Sequence, residues 1–101
     1  MFSSPYPTWV EINLSAIEEN TRLVAEWTRV PLMGVVKDDG YGHGALEVGR
    51  AILGAGCIAL AVARVGEALP LRRAGIDVPL LVMGGYTAQE VETAVAHNLS
   101  L

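Results

Sequence analysis

Three apolar runs, "LMGVV", "CIALAVA" and "PLLVM", recur at intervals of roughly 20 to 25 residues, and each is followed by a stretch with helical spacing. Runs this short and this continuously apolar read as strands buried on both faces. Strands that alternate with helices make a parallel sheet through right-handed crossovers, so the fold class expected is α/β. Composition agrees. Half of the chain is hydrophobic (51%) but only 6% is aromatic, the excess lying in the Val, Ile, Leu, Ala and Gly of buried strands and the helices packed on them. The length of 101 residues suits one small domain.

The helices are legible from their spacing and punctuation. "GALEVGRAILGAG" places Ala45, Val48, Gly49 and Ile52 on one face, with Gly54 or Gly56 as the stop. "GEALPLRRAGI" follows the second strand, with Pro70 about one turn in, and Thr87 with Glu90 opens the helix after the third. Ahead of these units, "TWVEINL" alternates, with Val10, Ile12 and Leu14 on one face, and reads as a half-buried strand within an N-terminal segment 1–14. Ser15 and Glu18 have capping-box spacing for a helix whose apolar stripe is Ile17, Leu23, Val24 and Trp27, with Asn20 inside it. Residues 15–101 thus hold a helix and the first βα units, and the chain stops at "HNLSL", where a further strand is expected to begin.

Charge narrows the function classes. A net charge of −4 offers no basic surface to phosphodiester backbones or anionic lipid, so no nucleic-acid or membrane partner is expected. "MFSSPYPTW" has no positive n-region before an apolar stretch, and no run reaches the ~20 apolar residues of a membrane span. A cytoplasmic protein is expected. Cys57 is the single cysteine, and its setting, "GAGCIALAV", suggests a packed thiol.

The chemistry is concentrated in "GVVKDDGYGHGA". At the C-terminal end of a strand in a parallel sheet, loops are free to carry function. Lys37 follows the first apolar run at that edge, where a desolvated amine can act as a nucleophile or Schiff-base former, although strand-end lysines commonly just reach for water. Gly40, Gly42 and Gly44 would let backbone amides approach an anion, with the helix from Ala45 adding its positive end. The same letters fit the dinucleotide fingerprint G-x-G-x-x-G/A on Gly40, Gly42 and Ala45, but Arg64 stands where the ribose-binding acid belongs and the "KDD" triplet has no place in it. His43 could serve as an acid or base but reads as a capping or packing group, and His97, on a terminal helix, carries no signal. No cluster has metal-ligand spacing, so no metal is expected.

"VVKDDGYGHGA" resembles the pyridoxal-phosphate motif of the alanine racemase family, and "PTWVEINLSAIEEN" and "AVARVGEALPLRRAGIDVPLLVMGGY" are similar to that family's opening and its later strand-helix units. The resemblance implies a fold: the first portion of a (β/α)8 TIM-like barrel, which when complete needs roughly 250 residues. It implies a cofactor, pyridoxal 5'-phosphate, held by Lys37 as a Schiff base with Tyr41 bonding its phosphate. It implies racemisation of L- and D-alanine, one face of the α-carbon served by the freed Lys37 amine and the other by a tyrosine from a C-terminal β domain across a homodimer. That β domain is absent from these residues, so the isolated chain is expected to be inactive. Asp38, Asp39 and Gly40 stand where the family commonly has Ala, Asn or Asp, and Ala. A carboxylate beside the lysine is expected to favour its ammonium form unless Asp38 points away, and Gly40 to loosen the loop. Two other readings stand beside this one: a non-catalytic module that binds pyridoxal phosphate or pairs with another chain, and the dinucleotide-binding domain.

Overall fold

The computed structural model describes residues 5–101. Three strands, β1 (Leu32–Val35), β2 (Cys57–Val62) and β3 (Leu80–Val82), form one sheet in the order β1-β2-β3, every pair parallel. Helix α1 (Leu14–Thr28) precedes β1, α2 (Ala45–Ala55) and α3 (Val65–Arg73) are the crossovers between strands, and α4 (Ala88–Ala96) follows β3. Beyond α4 the chain returns to the sheet: Ser100 N–H donates to Leu80 O and Val82 N–H to Ser100 O, both at 2.8 Å. A parallel bridge between Leu81 and Ser100 marks a fourth position beside β3. Each new strand is therefore added next to the last, as in a barrel, with no reversal of order such as a doubly wound sheet has.

Strand register sorts the side chains by face. Gly34, Leu60 and Leu80 share one row, which faces the crossover helices: the nearest atoms over Gly34 belong to Ile52, and Leu60 Cδ1 lies against Gly49, both on α2. Leu60, Leu71, Leu80, Val36 and Val62 are the largest fully buried side chains. The opposite row runs Met33, Ala59 and then Val35, Ala61, Leu81. It too is apolar, yet Met33 is 47% exposed. "LMGVV" is thus not a fully buried strand among the described residues: one face packs on helices, the other is apolar but open. Alternation was hidden in the sequence because both faces carry the same kind of residue.

The N-terminal region departs from expectation. Residues 8–13 form no strand among the described residues, and Val10 stands 77% exposed. An alternating segment becomes a strand only when a neighbouring strand takes its backbone groups, and among the described residues no strand pairs with it. Positions 1–4 of the expected 1–14 segment fall outside the described residues. The cap of α1 is Asn13, whose side-chain oxygen accepts from Ala16 N at 3.0 Å, and Ser15 lies within the helix. Asn and Ser are equally good caps, so spacing alone misplaced the start by a turn's fraction. Of the expected stripe, Leu23, Val24 and Trp27 are exposed, Asn20 lies on the surface and Ile17 reaches the core, joined by Leu14, which opens the helix instead of closing the expected strand.

Downstream, the punctuation holds. Gly56 ends α2, Arg72 and Arg73 lie in the last turn of α3 near Pro70, and Thr87 and Glu90 close a reciprocal capping box on α4. Arg72 ties α3 to the end of α4, its guanidinium donating to the carbonyls of Ile76, Val78, His97 and Asn98. Cys57 is buried, and desolvation raises its thiol pKa, which keeps it protonated and inert. Past β3, Gly84 N–H donates to Ala63 O at 2.9 Å, and any Cβ on Gly84 would run into that same carbonyl oxygen. Gly84→Ala should therefore destabilise the fold by about 1–3 kcal/mol through overpacking against backbone. Urea unfolding checks this, and a value within experimental error of the parent chain would contradict the close approach.

Candidate active site

The C-terminal edge of the sheet is where β1 hands over to "KDDGYGHG". Val36, fully buried, pins the exit by donating its N–H to Ala61 O at 2.9 Å. From Asp38 the chain turns left-handed: φ is 53° at Asp38, 55° at Asp39, 64° at Gly40 and 56° at Tyr41. Left-handed residues normally occur singly, because Cβ crowds the backbone at a cost of about 1–2 kcal/mol each, least for Gly and for Asp or Asn. A run of this kind, holding two aspartates and a glycine, shows why the segment is written with those residues. Strain of this sort persists only where the surroundings fix it.

The fixing bonds are explicit. Gly40 N–H donates to Val36 O (2.9 Å), Gly42 N–H to Asp38 O (3.0 Å), His43 N–H to Gly40 O (3.1 Å) and Gly44 N–H to Asp39 O (2.8 Å). Asp39 Oδ1 accepts from Ala45 N at 2.9 Å and so caps α2. Gly40 is buried, with the backbone of Ala45 3.3 Å from where its Cβ would sit. The glycine therefore relieves crowding at a left-handed position and does not loosen the turn.

These bonds also correct the expected anion cradle. The amides of Gly40, Gly42, His43, Gly44 and Ala45 are all spent inside the loop, and the carboxylate of Asp39 occupies the first amide of α2. Glu47 adds a second acid in that first turn. A pyrophosphate would meet two carboxylates where it needs bare N–H groups. Together with a strand order that has no switch point, this removes the physical basis of the dinucleotide reading. Arg64, the other residue that reading used, is the N-cap of α3.

Lys37 and Tyr41 are brought together. The Lys37 amine lies over the Tyr41 ring, 5.8 Å from its centroid, with Lys37 half-buried and Tyr41 58% exposed at the open edge. Among the described residues the ion pair is Arg22 with Glu18, so neither Asp38 nor Asp39 pairs with Lys37. His43 and His97 each turn Nδ1 to a carbonyl of their own segment, Tyr41 O at 3.0 Å and Thr93 O at 2.9 Å, a local capping or packing contact of the kind expected of His43. No group of three or more potential metal ligands occurs among the described residues.

Sequence reasoning passed over Glu67. Its Oε2 accepts from Asp38 N at 2.7 Å, and its Oε1 from Ala63 N (2.8 Å) and Arg64 N (2.9 Å). One carboxylate thereby joins the residue after Lys37 to the end of β2. The available signal was an acid at the third position of a helix that follows a strand, obscured because Arg64 is not a customary cap.

Comparison with known proteins places this geometry. Residues 12–101 match the profile of the alanine racemase N-terminal domain. The chain is 51% identical over 98 residues to the alanine racemase of Halalkalibacterium halodurans, covering 93% of this chain and 25% of that protein. It is 44% identical over 97 residues to the alanine racemase of Desulforamulus reducens, covering 94% and 26%. Its fold is similar to the crystal structure of alanine racemase from Bacillus anthracis with bound L-Ala-P, with a TM-score of 0.89, 39% identity, and coverage of 95% of this chain and 26% of that one. The chain spans about a quarter of the length of the curated relatives it matches. With its parallel strands added one beside the next and its lysine-bearing turn at their C-terminal edge, the chain belongs to the alanine racemase family, as the opening part of its N-terminal barrel domain.

Proposed function

We propose that this chain contributes the cofactor lysine of a pyridoxal-phosphate-dependent alanine racemase, with Lys37 holding the aldehyde and Tyr41 bonding the phosphate. The observation that carries the reading is a single one: Lys37 is the chain's only lysine, and it stands at the sheet's C-terminal edge beside the Tyr41 ring. A primary amine is what an aldehyde condenses with, and a phenolic O–H is a donor a phosphate accepts from. The residues therefore fit the group. Because the amides of Gly40, Gly42, His43, Gly44 and Ala45 are spent, these do not serve as further phosphate donors.

Bound pyridoxal phosphate supplies a conjugated system that spreads the electron pair left when an amino acid loses its α-proton. The chain's residues do the rest. Lys37 would hold the cofactor's aldehyde end, and its Nζ, when free, would take or return a proton on one face of the substrate's α-carbon. Tyr41 keeps the phosphate end in place by donating its hydroxyl hydrogen. The left-handed turn brings Lys37 and Tyr41 together, so one segment would hold both the aldehyde and the phosphate of the cofactor. Racemisation also requires an acid-base group on the opposite face, a tyrosine from outside these residues in a homodimer. The substrate is alanine, and the setting is the cytoplasm.

The test is isotopic. The intact protein, given pyridoxal phosphate and L-alanine in D2O, should yield D-alanine carrying deuterium at the α-carbon. Bound cofactor with no α-deuterium in either enantiomer would contradict the reading. Tyr41→Phe removes one hydrogen bond to a charged group, and should weaken cofactor retention by about 10- to 100-fold, measured by equilibrium dialysis. Unchanged retention would remove Tyr41 from the phosphate site.

A further inference from the structure

We propose that Glu67 is a positioning residue for Lys37, a role that rests on the reading of Lys37 given above. The backbone on either side of Lys37 is held differently. Before it, Val36 is locked to β2 through Ala61 O. After it, the Asp38 amide has a side-chain acceptor, Glu67 Oε2, at 2.7 Å. The other oxygen of that carboxylate is fixed by Ala63 N and Arg64 N, where β2 ends and α3 begins. Lys37 thus sits between two anchors, one made by the main chain of β2 and one by Glu67 at the start of α3.

Three features make this more than a helix cap. A cap needs only the amides at its own helix end, which Oε1 already satisfies, whereas Oε2 reaches 29 residues back in sequence. The bond falls on the first residue of the left-handed run, where the strained turn must be prevented from relaxing. A carboxylate accepting amide hydrogens makes shorter and stronger bonds than a neutral acceptor does. Rotation at Asp38 would swing the Lys37 amine away from Tyr41, so the clamp sets where the amine meets the aldehyde.

Glu67→Gln separates the roles. Glutamine is accepted at this helix position, so its carbonyl oxygen can keep the Ala63 and Arg64 bonds while its NH2 faces the Asp38 N–H, donor against donor. In the intact protein the Asp38 amide should exchange hydrogen at least about ten-fold faster, with the Leu60 amide in the core unchanged, and borohydride trapping of pyridoxal phosphate on Lys37 should slow about ten-fold. Glu67→Asp, too short to span both elements, should give the same pair of effects and serves if the glutamine variant does not fold. Faster Asp38 exchange with unaltered trapping would overturn the proposal, as would slower trapping without faster exchange, or no change in either. A parent protein that traps no cofactor on Lys37 would overturn the functional reading itself, and the proposal with it.

Discussion

Lys37→Ala should abolish covalent retention of pyridoxal phosphate and lower alanine racemisation by roughly 10²–10⁴-fold or more, the range lost with a positioned acid-base group. The effect is expected to be total for retention because Lys37 is the amine that stands beside the Tyr41 ring at the sheet edge. Stability should barely change. Lys37 is half-buried, makes no ion pair among the described residues, and touches the rest of the site through the Tyr41 ring, a contact of about 0.5–1 kcal/mol where solvent reaches it. Absorbance of the bound cofactor after gel filtration, set beside a thermal unfolding curve, reads both quantities. A variant that is folded and still carries covalent cofactor would remove Lys37 from the chemistry.

Leu60→Ala should be the most damaging of the core substitutions, at about 3–5 kcal/mol. Leu60 is fully buried at the centre of the helix-facing row, between Gly34 on β1 and Leu80 on β3. Gly49 brings the backbone of α2 so near that an added Cβ there would sit 3.1 Å from Leu60 Cδ1. A helix already that close cannot collapse further to fill the space a methyl side chain leaves. Set against a typical total of about 5–15 kcal/mol, the loss removes much of the folding free energy. Trp27→Ala is the control: the ring is 91% exposed, and its removal should cost no more than about 0.5 kcal/mol. Urea midpoints of the two variants decide, and similar midpoints would mean that the core does not sit where Leu60 places it.

How much of this was legible in the residues follows from which forces are local. The helices after Gly44, Arg64 and Thr87 and the three apolar strands could be read because periodicity and turn chemistry act within a few residues. Lys37 stood out because a single charged turn interrupts apolar sequence, whereas Tyr41 was named through the family resemblance alone; the structure sets the amine beside that ring. The N-terminal strand was misread because alternation states a preference for a partner strand without supplying one, and among the described residues no strand pairs with 8–13. The glycines of "GYGHGA" were expected to free amides for an anion; instead they and the aspartates close a left-handed turn on itself, since hydrogen-bond partners within a loop depend on φ and ψ that letters do not state. Glu67 was missed because its second oxygen acts across 29 residues, a contact that only the parallel crossover creates.

The central claim is that one amine, held at the end of β1 by a strained turn braced by its own hydrogen bonds, is the group that takes the cofactor. Borohydride reduction of the intact protein in the presence of pyridoxal phosphate, followed by proteolysis and peptide mass mapping, tests it most directly. The account predicts a pyridoxyl group on the peptide that carries Lys37, in proportion to bound cofactor. A reduced adduct on any other amine, with Lys37 unlabelled, would contradict it.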